Sequence, residues 1–160
     1  MKRTAHLPRT TATAGQRNTG AGAPAGPAPA VRWSIDELLA AARGRLDRVH
    51  PDALAGEVAG GAVLIDIRPL EQRTRDGPLP DAIVIDRNVL EWRLDPSCEH
   101  HIAAVDSYDA RVVIICNEGY QSSLAAAELR DLGLHRATDL IGGYQAWITT
   151  SHPPPLDDTD

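Results

Sequence analysis

Hydrophobic positions along this chain fall into short blocks separated by polar and glycine-rich punctuation. From Met1 to Val31 almost nothing is apolar enough to bury, and residues 21–30 are wholly Ala, Gly and Pro. Such composition cannot offset the entropy of ordering, so residues 1–32 are expected to form a disordered basic tail. Patterned sequence begins at Trp33. Ser34-Ile35-Asp36-Glu37 is a capping box that opens a helix running through about Val49. Pro51-Asp52 starts a second short helix, and Gly60-Gly61 stops it. Ala62–Asp66 and Ala82–Ile85 are apolar runs that predict buried strands, and Asn88–Leu94 predicts a short helix. A surface loop is expected over 95–110. Arg111–Ile115 predicts a third strand and 122–132 a helix, with Ala125, Leu129 and Leu132 inward and Gly133 as its cap. Ala137–Ile141 is a last strand, Gly142-Gly143 a turn, and Tyr144–Thr149 a closing helix. Trp33 and Trp147 are assigned to packing. Residues 151–160 should form a flexible acidic tail. Strands alternating with helices imply one α/β domain over 33–150, with a mostly parallel sheet covered by helices on both faces.

Composition narrows the function classes. The chain has 160 residues, enough for one domain with a real core. Its net charge of −6 hides an asymmetry, because residues 1–32 carry five basic side chains and no acid. The rest holds 22 acids against 11 arginines. An acidic folded part argues against nucleic acid as a partner. No apolar stretch is long enough for a membrane span, and no secretory pattern is present. The two cysteines, Cys98 and Cys116, form no disulfide framework, so a reduced, cytoplasmic setting is expected.

The candidate chemistry lies in Cys116-Asn117-Glu118-Gly119-Tyr120-Gln121-Ser122. This run joins a buried strand to a helix start, the place where ligands bind in open α/β sheets. A helix N-terminus offers unpaired N–H groups and partial positive charge, which favour a thiolate. Cys116 is therefore a candidate nucleophile, with an inert buried cysteine as the plainer alternative.

Four stretches together resemble the rhodanese-like domains. They are Val63–Pro69 with Glu71 beyond, Gly77–Ile83, Val113–Ser122, and Leu140–Trp147, in the family's order. The resemblance implies a five-stranded sheet and no cofactor. It also implies that Cys116 carries sulfane sulfur as a persulfide, taken from a donor and passed to a thiol acceptor. Asn117, Glu118, Gly119, Tyr120, Gln121 and Ser122 would then form the anion-binding loop. Its N–H groups would point at the sulfur, Gly119 would supply the turn, and the Ser122 hydroxyl would sit at the helix N-cap. Arg87 follows a strand end and should share the rim with Cys116 as a substrate anchor. Asp66 and Arg68 read as supporting residues, pairing with Glu71 or a backbone group.

One departure changes the expected donor. Many sulfurtransferases of this family carry cationic side chains in the loop, and here those places hold Asn117, Glu118 and Gln121. Two unit charges about 4 Å apart interact by roughly 4 kcal/mol at an effective dielectric near 20, so Glu118 opposes a dianion such as thiosulfate. A small-molecule or protein persulfide is the expected donor. The same departure supports an alternative, a catalytically weak module that uses the fold for binding or regulation. A phosphatase is disfavoured because Ser122 stands where a guanidinium would clamp a phosphoryl group. Cys98-Glu99-His100-His101 crowds its donors without the separation a zinc site wants, and no partner pair is evident, so no metal is expected.

Overall fold

The computed structural model describes residues 32–151; the two expected tails fall, apart from their inner ends, outside the described residues. The element order is α1 (Ile35–Gly44), a 3-10 turn (Pro51–Ala53), α2 (Leu54–Ala59), β1 (Val63–Asp66), α3 (Leu70–Asp76) and β2 (Ala82–Val84). A second 3-10 turn (Arg87–Val89) leads into α4 (Leu90–Leu94), followed by β3 (Val112–Ile115), α5 (Gln121–Leu132), β4 (Thr138–Asp139) and α6 (Gly143–Ser151). None of these helices is long and apolar enough to cross a membrane.

The strands form one parallel sheet of four in the order β2-β1-β3-β4. A fifth strand was expected; its place is taken by one parallel bridge, Val49 to Leu140. The Val49 N–H donates to the Asp139 carbonyl at 3.0 Å, and its carbonyl accepts from Ile141 at 2.9 Å. Pairing stops there because Pro51 has no N–H and opens a 3-10 turn. The first helix correspondingly ends at Gly44 instead of Val49, which frees 45–49 to cross to the sheet. Its expected capping box is present: Ser34 Oγ accepts from the Glu37 N–H at 3.2 Å, and the Ser34 N–H donates to the Glu37 carboxylate at 2.7 Å.

Period-two alternation in β3 divides the core. Val112 and Ile114 pack with Leu90, Leu94, Ala125 and Leu129 on one face, while Val113 and Ile115 pack with Leu54, Leu79 and Tyr144 on the other. The same parity directs Cys116 to the α5 side. On α5 the buried stripe is Ser122, Ala125, Ala126 and Leu129, the i, i+3, i+4, i+7 set. Leu132, expected inward, is 37% exposed, and Trp33, assigned to packing, is 55% exposed. Trp147 packs on Tyr144, ring centroids 5.3 Å apart.

Arg111, just before β3, clamps Glu57 of α2 through Nε at 2.9 Å and Nη2 at 3.0 Å. Those hydrogen bonds hold the Glu57 carboxyl below its ordinary value against the opposing effect of burial. A depressed carboxyl contributes stability above its unfolded pKa, near 4.5, and that stability is lost as pH falls through the lower folded value. Glu57→Gln should lower neutral-pH stability by about 1 kcal/mol. It should also flatten the acid limb of the stability profile, measured by urea denaturation from pH 7 to pH 3.

Candidate active site

Cys116 follows the last residue of β3, and Asn117–Tyr120 turn the chain into α5. Each peptide group in this turn has two ends, and the structure disposes of the carbonyl ends first. The Cys116 carbonyl accepts from the Tyr144 N–H at 2.9 Å and the Asn117 carbonyl from the Gln145 N–H at 3.0 Å. These donors belong to the first turn of α6, where N–H groups have no partner within the helix. The Gly119 carbonyl accepts from Arg43 Nη2 at 2.8 Å and faces the Ser123 hydroxyl at 3.1 Å. With the carbonyls held outward, the N–H groups of Gly119 and Ser122 point at Cys116 Sγ, at 3.2 Å and 3.4 Å. The cradle for a negative sulfur is thus made of backbone dipoles.

Two glycines let α6 come this close. A Cβ on Gly143 would lie 2.4 Å from the Cys116 carbonyl oxygen and 2.7 Å from the Gly119 nitrogen, and its φ is +62°. A Cβ on Gly119, at φ +74°, would lie 2.8 Å from the Gly142 nitrogen. The Gly142-Gly143 pair, read from sequence as a plain turn, is the surface against which the cysteine loop is cast.

Cys116 is buried, with 9% of its surface exposed, yet it lines a cavity of about 640 Å³. Asn117, Glu118, Tyr120, Gln121, Arg68 and Arg87 line the same cavity, whereas Gly119, Ser122 and Asp66 of the predicted set do not. Ile67, Pro69, Leu70 and Val84 supply its apolar wall. Tyr120 is exposed at this opening, with the Arg43 guanidinium 5.4 Å from its ring centroid.

One expectation needs correction and another is met only in part. Ser122 is not the N-cap: α5 begins at Gln121 after Tyr120, and that position makes no side-chain cap bond. Ser122 is the second residue of the helix and fully buried, and its hydroxyl accepts from the Cys116 thiol at 3.2 Å. Of the pairings expected for Asp66 and Arg68, the backbone one is present and Glu71 is not the partner: the Arg68 N–H donates to Asp66 Oδ1 at 3.0 Å, and Arg68 Nη2 reaches Asp66 Oδ2 at 2.7 Å, both side chains almost fully buried. Arg68 also donates to the Gly77 carbonyl at 3.1 Å and lies 3.5 Å from the Tyr144 ring centroid. It ties β1 to the ends of α3 and α6. Arg87 reaches the cavity already committed, ion-paired to Glu91 at 2.6 Å and to Glu128, although its Nε is buried without a partner.

Sequence reasoning missed Arg43, Arg48, Arg73, Ser123 and Asp139. Asp139 is fully buried on β4 and receives Arg48 at 2.7 Å and 3.0 Å, Ser123 at 2.7 Å and Ser122 at 3.2 Å. An acid inside a short apolar strand was the available signal, since a buried carboxylate requires partners. Arg73 lines the cavity, donates to the Arg68 carbonyl, and makes no ion pair among the described residues. Cys98 is a partly exposed free thiol in the loop before β3 and does not line the cavity. Among the described residues no cluster of His, Cys, Asp and Glu is arranged to hold a metal.

The family model for the rhodanese-like domain matches residues 50–150. The chain belongs to the rhodanese-like family. Its rhodanese-like domain is 31% identical over 98 residues to the adenylyltransferase and sulfurtransferase MOCS3 of Arabidopsis thaliana, covering 57% of this chain and 21% of that protein. The chain thus spans about a fifth of the length of the first curated relatives it matches, MOCS3 and the Candida albicans UBA4. It is 29% identical over 103 residues to the thiosulfate sulfurtransferase GlpE of Pseudomonas savastanoi, covering 64% of this chain and 88% of GlpE. Among solved structures it is similar to a Rhodopseudomonas palustris protein of unknown function, RPA3614, described as a possible tyrosine phosphatase. That match has a TM-score of 0.68 and 28% identity, covering 77% of this chain and 95% of the other. The human single-domain sulfurtransferase TSTD1 matches with a TM-score of 0.54 and 27% identity, covering 63% of this chain and 94% of TSTD1.

Gly143→Ala tests whether the rhodanese-like loop is cast against α6. The substitution should cost about 2 kcal/mol or more, from the left-handed backbone and the contact with the loop carbonyl. Alkylation of Cys116 by iodoacetamide should slow in the same variant, under conditions where thermal unfolding shows it folded.

Proposed function

We propose that this domain is a sulfurtransferase that carries sulfane sulfur as a persulfide on Cys116. The observation that carries the reading is the pair of N–H groups at 3.2 Å and 3.4 Å from Sγ, at the edge of a cavity of about 640 Å³. A thiolate attacks the outer sulfur of a donor, the donor leaves with the electron pair of the broken S–S bond, and the new persulfide sits over the cradle.

The donor we propose is a small-molecule or protein persulfide, with a thiol as acceptor. The cavity is of the size that encloses an organic ligand, and a small inorganic anion fills little of it. Ile67, Pro69, Leu70 and Val84 suit the carbon body of an organic thiol. Of the three guanidiniums at the cavity, Arg68 is matched by Asp66 and Arg87 by Glu91 and Glu128, which leaves Arg73 as the anchor for an anionic donor end. GlpE is by name a thiosulfate enzyme, but the Glu118 carboxylate at this cavity opposes a dianion. Both cysteines are free thiols, which supports the cytoplasmic setting.

Incubation with an organic persulfide should add the mass of one sulfur atom to the protein. Cyanide should remove it, and Cys116→Ser should prevent it. Thiosulfate should load Cys116 more slowly than the persulfide does. Wild-type protein that takes up no sulfur from either donor is the result that favours a binding module. Hydrolysis of p-nitrophenyl phosphate dependent on Cys116 would instead favour the phosphatase described for RPA3614.

A further inference from the structure

Behind the candidate nucleophile lies a buried polar chain that sulfur loading does not require. Cys116 Sγ is 3.2 Å from Ser122 Oγ, Ser122 Oγ is 3.2 Å from Asp139 Oδ2, and Asp139 is paired to Arg48 through both oxygens, at 2.7 Å and 3.0 Å. Ser122, Ser123 and Asp139 are fully buried. The Ser122 hydroxyl has one hydrogen and two acceptors in reach, the sulfur and the carboxylate. With a neutral thiol, the S–H donates to Ser122 Oγ and the Ser122 O–H donates to Asp139. If that hydrogen instead turns to the sulfur, Asp139 Oδ2 still holds Ser123 at 2.7 Å and Arg48 at 3.0 Å. Rotation leaves no buried acceptor unsatisfied.

We propose that Ser122 is a catalytic residue of the second half-reaction, a rotatable donor that meets the charge arriving on Cys116 Sγ as the outer sulfur departs. Asp139, held by Arg48, is its positioning residue and keeps the hydrogen while the sulfur is neutral. This rests on Cys116 carrying the persulfide. With cyanide as acceptor, the carbon lone pair forms a C–S bond to the outer sulfur. The S–S bond then breaks and its pair goes to Sγ, giving thiocyanate and the Cys116 thiolate with charge conserved. Charge therefore appears on Sγ in discharge and leaves it in loading. A donor to Sγ lowers the barrier of the first change and does not lower that of the second. The Gly119 and Ser122 N–H groups are fixed in both states, whereas the hydroxyl alone can change partners.

The test separates the half-reactions in single-turnover experiments, loading from an organic persulfide and discharge to cyanide. Ser122→Ala should slow discharge about 10- to 100-fold, the range for a hydrogen bond to a charged group. Loading, measured at alkaline pH where the thiol is ionised, should change by less than about threefold. Equal slowing of both steps, or unchanged discharge, overturns the proposal, because a packing defect has no reason to select one direction. The coupling to Asp139 is read from Asp139→Asn in the wild-type and Ser122→Ala backgrounds. Its effect on the ratio of discharge to loading should be several-fold larger with Ser122 present, and an equal effect in both backgrounds overturns the positioning role. Wild-type protein that never loads sulfur defeats the persulfide reading itself, a different failure from a variant that loads and discharges normally.

Discussion

The site depends on where the peptide carbonyls of one short turn find their partners. A peptide N–H can be aimed at a buried sulfur only if the chain direction that permits it also satisfies the carbonyls, and each buried carbonyl left bare costs about 1–3 kcal/mol. Here the Cys116 and Asn117 carbonyls are taken by the opening N–H groups of α6, and the Gly119 carbonyl by Arg43. The inward N–H groups are the other half of that arrangement. Cys116 thus needs α1 and α6, whose donors bond the carbonyls of its loop.

This constraint gives the glycine pair its meaning. Residues 142 and 143 both have positive φ, and a side chain on Gly143 would occupy the space of the loop it supports. The first turn of α6 behaves like an anion site in reverse order: its free N–H groups bind carbonyl oxygens of the cysteine loop, and that loop then presents its own N–H groups to the sulfur. Arg68 secures the same region from below. It joins Asp66 at the end of β1 to the Gly77 carbonyl and the Tyr144 ring, so a displacement of α6 would disturb a buried ion pair.

Much of this was legible in the sequence, for reasons that also mark its limit. Strand β3, α5 and the capping box at Ser34 were readable because their signals are local: a β-branched run, an apolar stripe, a paired Ser and Glu. Helix α3 went unread because none of its residues is buried, and a helix with no apolar face leaves no periodicity to detect. The four strands read from the residues are the four in the sheet; the fifth came with the family resemblance, and here Val49 makes only a bridge before Pro51 ends the ladder. Within the site, Cys116 and its loop lie together in the chain. Arg48 and Asp139 are 91 residues apart, and Arg43 is 76 from Gly119. Nothing in local pattern connects such residues: Arg43 meets Gly119 through the packing of α1 against α5, and Arg48 meets Asp139 because residues 45–49 cross to β4.

The reach of these forces separates two tasks within one cavity. The cradle is built from N–H dipoles, whose influence falls away faster with distance than that of a net charge, so it acts on Sγ and on whatever sulfur is bonded to it. It gives little grip on the far end of a donor. Net charges at the cavity act over a longer range, but Asp66 matches Arg68, and Glu91 and Glu128 match Arg87. Such pairs present a weak field a few ångströms away. Under the proposed reading, recognition of the donor body falls to contact with Ile67, Pro69, Leu70, Val84 and Tyr120, with Glu118 opposing a dianion and Arg73, without an ion pair among the described residues, as the anchor. Contact of that kind rewards a carbon skeleton more than a compact dianion, so under the proposed reading a loop without a cation and an apolar wall point to the same class of donor.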